Sequence, residues 1–447
     1  MKKFLYIFLS SIIIVSVFFS YIIISDKYDK QNLFILKIKE IVPLKLKNKL
    51  KNTIYETRAI LNEREIQRLQ TRKIEQGLSG ELIESKEIKT KSNSIKYNFK
   101  EFFLPFKRLD LTYGWRAIEN SKRAHYLETR DDKTIVVSGE GDFIYFDTKN
   151  FNSNKLIQKI LPSNLYEFLE KENFSLIGLR DLLIDNNKLY IAAILRDKDQ
   201  KYTICILSSK FNYKKLKFNF LFKPNMGMEK YSIGTGGRIV EFNENKLLFT
   251  IGHFSVPEQV QNKEDLIGKI ISIDKNDKSY EVISLGHRNQ QGLFYYEDDK
   301  GNQFIINSEH GPKGGDEINV NYLENNKLPN FGWPVASYGI NYDGTNPFKS
   351  SHEDYGFVEP LKYFTPSIGI SEISVKSESD SNIIYTSSLR AKSIYIIKTN
   401  KNFTKVVNED RLILDYRIRD IKYVENLGGY IVILENTPSI GFIKISD

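Results

Sequence analysis

Between Glu309 and Glu317 the chain reads EHGPKGGDE, with three carboxylates, a Gly-Pro and a Gly-Gly in one short stretch. Proline has no backbone N–H and ends a strand, which leaves carbonyls without ladder partners. Free carbonyls beside carboxylates are oxygen ligands that suit a hard cation such as Ca²⁺. The same residues also describe a tight loop with a solvated acidic rim. Upstream, Gly286-His287-Arg288-Asn289-Gln290-Gln291-Gly292 follows a strand-like run and reads either as a site loop or as an ordinary connection. Downstream, Tyr416–Asp420 alternates, and period two puts Arg417 and Arg419 on one face with Ile418 on the other. Two like charges side by side require solvent or an anion on that face.

Short strands must position these residues. From about residue 101, runs such as Thr134–Val137, Leu189–Leu195, Leu247–Ile251, Lys269–Ile273, Gln303–Asn307, Ser393–Lys398 and Tyr430–Glu435 recur between polar turns. No long amphipathic helix intervenes, so βαβ winding is not expected. About 350 residues of such strands suit a propeller of about six blades or a pair of large sandwiches. Before them, residues 26–100 are expected to form a helical stalk or linker, because Lys51–Glu87 is rich in Glu, Lys, Arg, Gln and Leu. Phe4–Ser25 carries no charge. A helix of about 22 residues is roughly 33 Å long, enough to cross a bilayer core. No small-residue cleavage site precedes Asp26, so residues 1–25 are expected to be a transmembrane signal anchor, with the rest of the chain on the extracytoplasmic side.

Composition narrows the partners. The 447 residues carry 65 Lys and Arg against 56 acids, a net charge of +9. The cations are dispersed and no Arg-rich block interleaves with aromatics, so nucleic acid is not an expected partner. One cysteine, Cys205, excludes an intramolecular disulfide and a multi-cysteine metal site.

Five stretches together, LGHRNQQGLFY, SEHGPKGGDEINV, NFGWPVASYGINYDGT, GTGGRIVEF and RIRDI, resemble the soluble quinoprotein sugar dehydrogenases. These are glucose/sorbosone dehydrogenase-like six-bladed β-propellers that use pyrroloquinoline quinone (PQQ) and Ca²⁺. The resemblance covers roughly residues 105–445. It implies an all-β, six-bladed propeller over 101–447. It implies that Arg288 and Asn289 contact the quinone, and that Gly311 and Pro312 offer carbonyls to calcium. Arg417 and Arg419 would pair with PQQ carboxylates, and Arg390 stands where the family carries a lysine. The implied partners are a sugar or alcohol substrate and an electron acceptor, protein or quinone.

The chain departs from the family at one decisive place. The family's general base is a histidine four residues before the Arg of GGR; here that Arg is Arg238 and the position is Gly234. Glycine cannot accept the hydroxyl proton. His253 is the candidate replacement. Arg238–Phe242 and Leu247–Ile251 read as a hairpin closed by Asn243-Glu244-Asn245, and this register sets Gly234 opposite residues near 254–256. Two functions follow from these readings: a membrane-anchored PQQ- and calcium-dependent dehydrogenase, or a catalytically silent propeller that binds a ligand or a protein. A hydrolase has no support, since no Gly-x-Ser-x-Gly elbow is present.

Overall fold

The computed structural model describes residues 79–104, 124–323, 328–435 and 439–446. All of them belong to one compact unit. The expected span Phe4–Ser25 and the stalk up to residue 78 lie outside the described residues. Among the described residues no helix is long and apolar enough to cross a membrane.

Six antiparallel sheets are arranged as blades. Blade 1 holds His125–Arg130, Lys133–Ser138, Phe143–Asp147 and Lys159–Leu161. Blade 2 holds Phe174–Asp185, Lys188–Asp197, Tyr202–Lys210 and Asn219–Phe222. Blade 3 comprises Gly236–Glu241, Lys246–Ile251, Lys269–Asp274 and Tyr280–Leu285. Blade 4 comprises Gln290–Glu297, Gln303–Glu309, Asp316–Tyr322 and Lys362–Phe364. Blade 5 is built from Ile370–Ser377, Ser381–Ser388, Ser393–Asn400 and Val406–Ile413. The first strand of each blade packs on the first strand of the next, and the ring closes from Arg417–Val424 back to His125–Arg130.

Blade 6 makes that closure. Its C-terminal strands Arg417–Val424, Gly429–Glu435 and Ser439–Ile445 continue onto Lys96–Phe103 and then Ser79–Lys89, two strands from the start of the described chain. This corrects the expected stalk, which does not reach residue 100. Its last part is strand because KYNFKEFF alternates, with Tyr97 and Phe99 buried and Lys96 and Asn98 exposed. The preceding SGELIESKEIK has the charge density of a surface helix. It lies instead near the outer side of the sheet, where Ser79–Glu81 pair with Lys155–Ile157 and the charged residues beyond them form the edge.

Burial explains the strand sequences. Middle strands are covered on both faces by neighbouring blades, so KLLFTI and KIISID are nearly unbroken apolar runs. Outer strands such as Tyr280–Leu285 are exposed at their start. The apolar clusters lie between successive blades, for example Tyr190, Ile204 and Phe222 of blade 2 against Phe249 and Ile271 of blade 3.

The alternating strand directions place two kinds of loop at one end of the barrel: those leading into each first strand, and those joining second to third strands. Arg288, Asn289, Gly234 and Arg417 belong to the first kind. His253, Gly311, Pro312 and Arg390 belong to the second. Within the ring just below that end, Arg238 lies buried with Asp181 at 3.0 Å, Glu372 at 2.8 Å and Asp420 at 3.9 Å.

The role of the N-terminal strands can be checked by truncation. A chain starting at Ser79 is expected to fold and melt cooperatively. A chain starting after Leu104 loses the buried Tyr97, Phe99 and Phe102. Each large aromatic contributes about 3–5 kcal/mol, and a whole domain holds only about 5–15 kcal/mol. The shorter chain is therefore expected to be insoluble or without a melting transition; a soluble, cooperative fold would show that the closure lies elsewhere.

Candidate functional site

Arg288 anchors one side of the site. Its backbone N–H donates to Glu309 Oε2 at 2.7 Å, which fixes the loop onto blade 4. Its Nη1 donates to the carbonyls of His310 at 2.9 Å and Gly311 at 2.8 Å, and its guanidinium lies over the Trp333 ring at 5.1 Å. Its Nε is buried without a partner. A pocket at this point is lined by Arg288, His310, Gly311, Trp333, Ala336 and Ser337 among others.

The three carboxylates of EHGPKGGDE do not form a solvated rim: Glu309, Asp316 and Glu317 are all buried. Asp316 accepts from the N–H groups of Gly311 at 3.1 Å, Gly369 at 2.7 Å and Ile370 at 3.0 Å, which ties this loop to blade 5. Burial alone would raise its carboxyl, but His310 and these backbone donors hold it below the usual range. Glu309 accepts from Asn319 Nδ2 at 2.7 Å. Burial, reinforced by the Glu309 charge, pushes Glu317 well up.

The calcium expectation is not met by this arrangement. The Gly311 carbonyl faces a cation, but that cation is Arg288. The Pro312 carbonyl has the Ser367 hydroxyl at 3.5 Å. With its central oxygen donor already bonded to a guanidinium, the pair does not fit a metal ion.

On the other side, Arg417 and Arg419 do share a face, and an anion does meet it. Glu435, opposite Arg417 on the neighbouring strand, accepts from Arg417 Nη2 at 2.8 Å and Arg419 Nε at 2.6 Å. Burial works against ionisation there, but Arg419 and then Arg417 hold the Glu435 carboxyl down at about 2. Arg419 Nη1 also donates to Gln291 Oε1 at 2.8 Å; Gln291 Nε2 donates to Asn289 Oδ1 at 3.1 Å; and Gly236 N–H donates to the same oxygen at 3.2 Å. One hydrogen-bonded chain therefore links Glu435, Arg419, Gln291 and Asn289 across blades 6, 4 and 3. Arg417 Nη1 reaches the Leu389 carbonyl at 3.4 Å, beside the exposed Arg390.

His253 lies beside Gly234, as the hairpin register requires. Ile239 pairs with Phe249, and Phe254 N–H donates to the Gly234 carbonyl at 2.9 Å. A Cβ placed on Gly234 would stand 2.5 Å from His253 Nε2, so the imidazole fills the room a side chain at 234 would need. The ring meets Trp333 edge-to-face at 5.9 Å, the backbone N–H of His253 donates to the Arg288 carbonyl at 2.7 Å, and the ring's Nδ1 is buried without a partner. Burial, with the Arg288 charge adding to it, lowers the imidazole to about 3.

Sequence reasoning missed Glu435, Gln291, Trp333 and Arg180. Arg180 is buried and donates to Thr235 Oγ1 at 2.9 Å and Tyr231 Oη at 3.0 Å, behind Gly234. A lone Glu ending the apolar run YIVILE was the available signal for Glu435. The cross-blade contacts of the others leave no local trace.

Five four-stranded blades and a sixth that joins the C-terminal strands to Lys96–Phe103 and Ser79–Lys89 define a β-propeller, with Arg288 and Arg417 at the same end of it. The family profile for glucose/sorbosone dehydrogenases matches residues 177–442. The chain belongs to that family. It is 29% identical over 241 residues to an aldose sugar dehydrogenase of Escherichia coli K12, covering 49% of this chain and 62% of that protein. It is 28% identical over 226 residues to an uncharacterised protein of Synechocystis, covering 44% of this chain and 52% of that protein. The matches thus span between half and two thirds of those relatives. The apo-form soluble aldose sugar dehydrogenase of E. coli superposes with a TM-score of 0.55 at 20% identity, over 72% of this chain and 95% of that one. A PQQ-bound aldose sugar dehydrogenase of Streptomyces coelicolor gives 0.51 at 21%, over 70% and 91%. At those identities the likeness shows the fold.

The Glu435 pair has a pH signature. Its carboxyl is depressed in the folded state, so its contribution is fully present above the unfolded value of about 4.5. It is lost as pH falls from about 4.5 through about 2. Stability of the wild type is expected to drop across that window, and Glu435→Gln should flatten the drop. The variant should also cost roughly 3 kcal/mol at pH 7, the low end for a broken buried pair. Denaturant midpoints at pH 7, 4.5 and 3 measure both effects; equal slopes in the two proteins would mean the pair is not linked to folding.

Proposed function

We propose that this propeller binds PQQ at the arginine-lined mouth and oxidises an aldose or another small alcohol. The observation that carries this reading is the run of Asn289, Gln291, Arg419 and Arg417 held in one network, facing the end of the barrel that also carries Arg288. PQQ is a tricarboxylate and an ortho-quinone; when bound it supplies a two-electron acceptor. Arg417 and Arg419 together carry one positive charge more than Glu435 neutralises. Both are anchored by that glutamate, so they offer their remaining N–H groups to a carboxylate in a fixed fork. The unpartnered Nε of Arg288 is a buried donor suited to an oxygen of the same molecule. Asn289 is locked by Gly236 and Gln291 and positions the ligand edge. Arg390, exposed beside Leu389, adds a further cation at the rim. Trp333 forms part of the pocket lining and stacks under the Arg288 guanidinium.

Calcium takes no part in these steps. A metal at Gly311 and Pro312 would require Arg288 to release the Gly311 carbonyl. The second reading, a silent propeller that only binds, draws support from Gly234, where the family's base is missing.

The N-terminal segment extends the proposal: Phe4–Ser25 anchors the propeller to a membrane on its extracytoplasmic side, where a quinone or a carrier protein takes the electrons onward. The uncharged span supports this. Protease added to intact spheroplasts should digest the propeller, and full protection would reject the topology.

The cofactor reading is tested by titrating the purified propeller with PQQ and following its absorbance. Charge-assisted hydrogen bonds contribute roughly 1.5–3 kcal/mol each, and about 1.4 kcal/mol is one decade in affinity. Arg419→Ala is expected to weaken binding by about tenfold to a hundredfold. EDTA should leave the wild-type titration unchanged. No saturable binding, or none of this dependence on Arg419, would sink the reading. A strict need for calcium would show that Arg288 yields its carbonyls to a metal.

A further inference from the structure

We propose that His253 accepts the substrate's hydroxyl proton, entering from the strand opposite the one that carries the family's base. The inference rests on the PQQ-dehydrogenase reading and deepens it by naming the proton acceptor.

Three observations support it. The imidazole occupies the space above Gly234, with Nε2 2.5 Å from where a Cβ at 234 would sit. Any side chain at 234 would displace the ring from this position, so the two positions compete for one corner: a histidine placed from either strand can fill it. The ring is also held in place. Its backbone N–H is fixed by the Arg288 carbonyl at 2.7 Å, and its edge packs against Trp333. Arg288 and Trp333 both line the pocket, so the ring packs directly behind two of its lining residues. Finally, Nδ1 is enclosed and without a partner, whereas Nε2 is the nitrogen turned toward Gly234.

The reaction step balances with these parts. The substrate's C1–H bond breaks and its electron pair leaves to the ortho-quinone acceptor. The hydroxyl proton passes to His253 Nε2, and a C1=O bond forms, turning an aldose into a lactone. The imidazole is neutral before the step, because burial and the Arg288 charge oppose protonation. Around it stand Gly234 and the uncharged Trp333, and Arg288 is the charged group that acts on it. A carboxylate paired with Arg288 would offset that charge and raise the proton affinity of the ring just when it must act.

Two experiments decide the matter. The first needs no turnover. In protein labelled at histidine ¹³Cε1, with the His253 signal assigned through His253→Gln, the ring is expected to stay neutral to below pH 4.5 and to shift when an aldose is added to the PQQ-loaded protein. Titration near 6.5, the value of a solvated histidine, or no response to the sugar would overturn the proposal. The second compares His253→Gln with the exchange Gly234→His/His253→Gly. His253→Gln should bind PQQ within about threefold of wild type yet lose roughly 10²–10⁴-fold in turnover, the usual contribution of a general base. The exchange should recover at least tenfold of that loss. Undiminished turnover in His253→Gln, or lost turnover together with lost PQQ affinity, would make His253 a structural residue. Wild-type protein that binds PQQ but oxidises no alcohol would overturn the base role and leave the cofactor site standing; failure to bind PQQ would instead remove the reading beneath it, and the sugar-dependent shift, sought in the PQQ-free protein, would still decide His253.

Discussion

The buried guanidinium of Arg238 is the point on which fold and site both depend. It is the cation among Asp181, Glu372 and Asp420, which come from the first strands of three other blades. Burial pushes the Asp181 and Glu372 carboxyls up against its pull. These acids also stitch the ring through backbone N–H groups. Asp181 accepts from Ile239 of the next blade at 2.7 Å, Asp420 from Leu127 at 2.9 Å, and Glu372 from Leu293 at 3.1 Å. Each sits at or beside a register shift in its strand, where the ladder leaves N–H groups free for such acceptors. A blade packed only by apolar contacts could slide on its neighbour; these directional bonds fix it.

The same guanidinium reaches upward into the site. Its Nε donates to the Gln291 carbonyl at 2.7 Å and its Nη2 to the Arg419 carbonyl at 3.3 Å. Gln291 and Arg419 are the two residues whose side chains bond to each other at the mouth. Arg238 therefore sets the backbone of both partners, and the hydrogen-bonded chain to Asn289 and Glu435 inherits that geometry. Gly237, at φ +109°, lets the strand pass against the Cβ of Arg180, which closes the wall behind Gly234.

Much of this was legible in the sequence, for local reasons. Strand runs with period two or continuous apolar cores gave the blades, and the Asn243–Asn245 turn gave the hairpin register that brings His253 to Gly234. The shared face of Arg417 and Arg419 follows from strand geometry alone. What was not legible depends on distant pairing. Residues 79–100 looked like stalk because their charges face outward from a sheet, and only pairing with the C-terminal strand makes them β. Glu309, Asp316 and Glu317 looked like candidate ligands or a solvated rim because the N–H donors they satisfy, at Arg288, Gly369 and Ile370, come from other loops and blades. The Gly311 carbonyl looked open because its partner, Arg288, lies on another strand connection.

Those pairings explain why the mouth is cationic in a chain whose acids and bases are nearly balanced. Acids near the mouth are consumed by backbone N–H groups: Asp316 by three, Glu309 by the Arg288 N–H and an amide side chain. Glu317 has side-chain partners instead, and burial pushes its carboxyl well up; Glu435 meets two arginines. Arg288 spends its Nη1 on neutral carbonyls, so its charge is not cancelled. The surplus at this end thus arises from how the carboxylates are used. It needs no excess of basic residues and leaves no mark in composition. A neutral histidine beside such a surplus keeps its lone pair, and an anion arriving there both binds and makes that lone pair more basic. Binding the cofactor and readying the proton acceptor would then be one electrostatic event at Arg288.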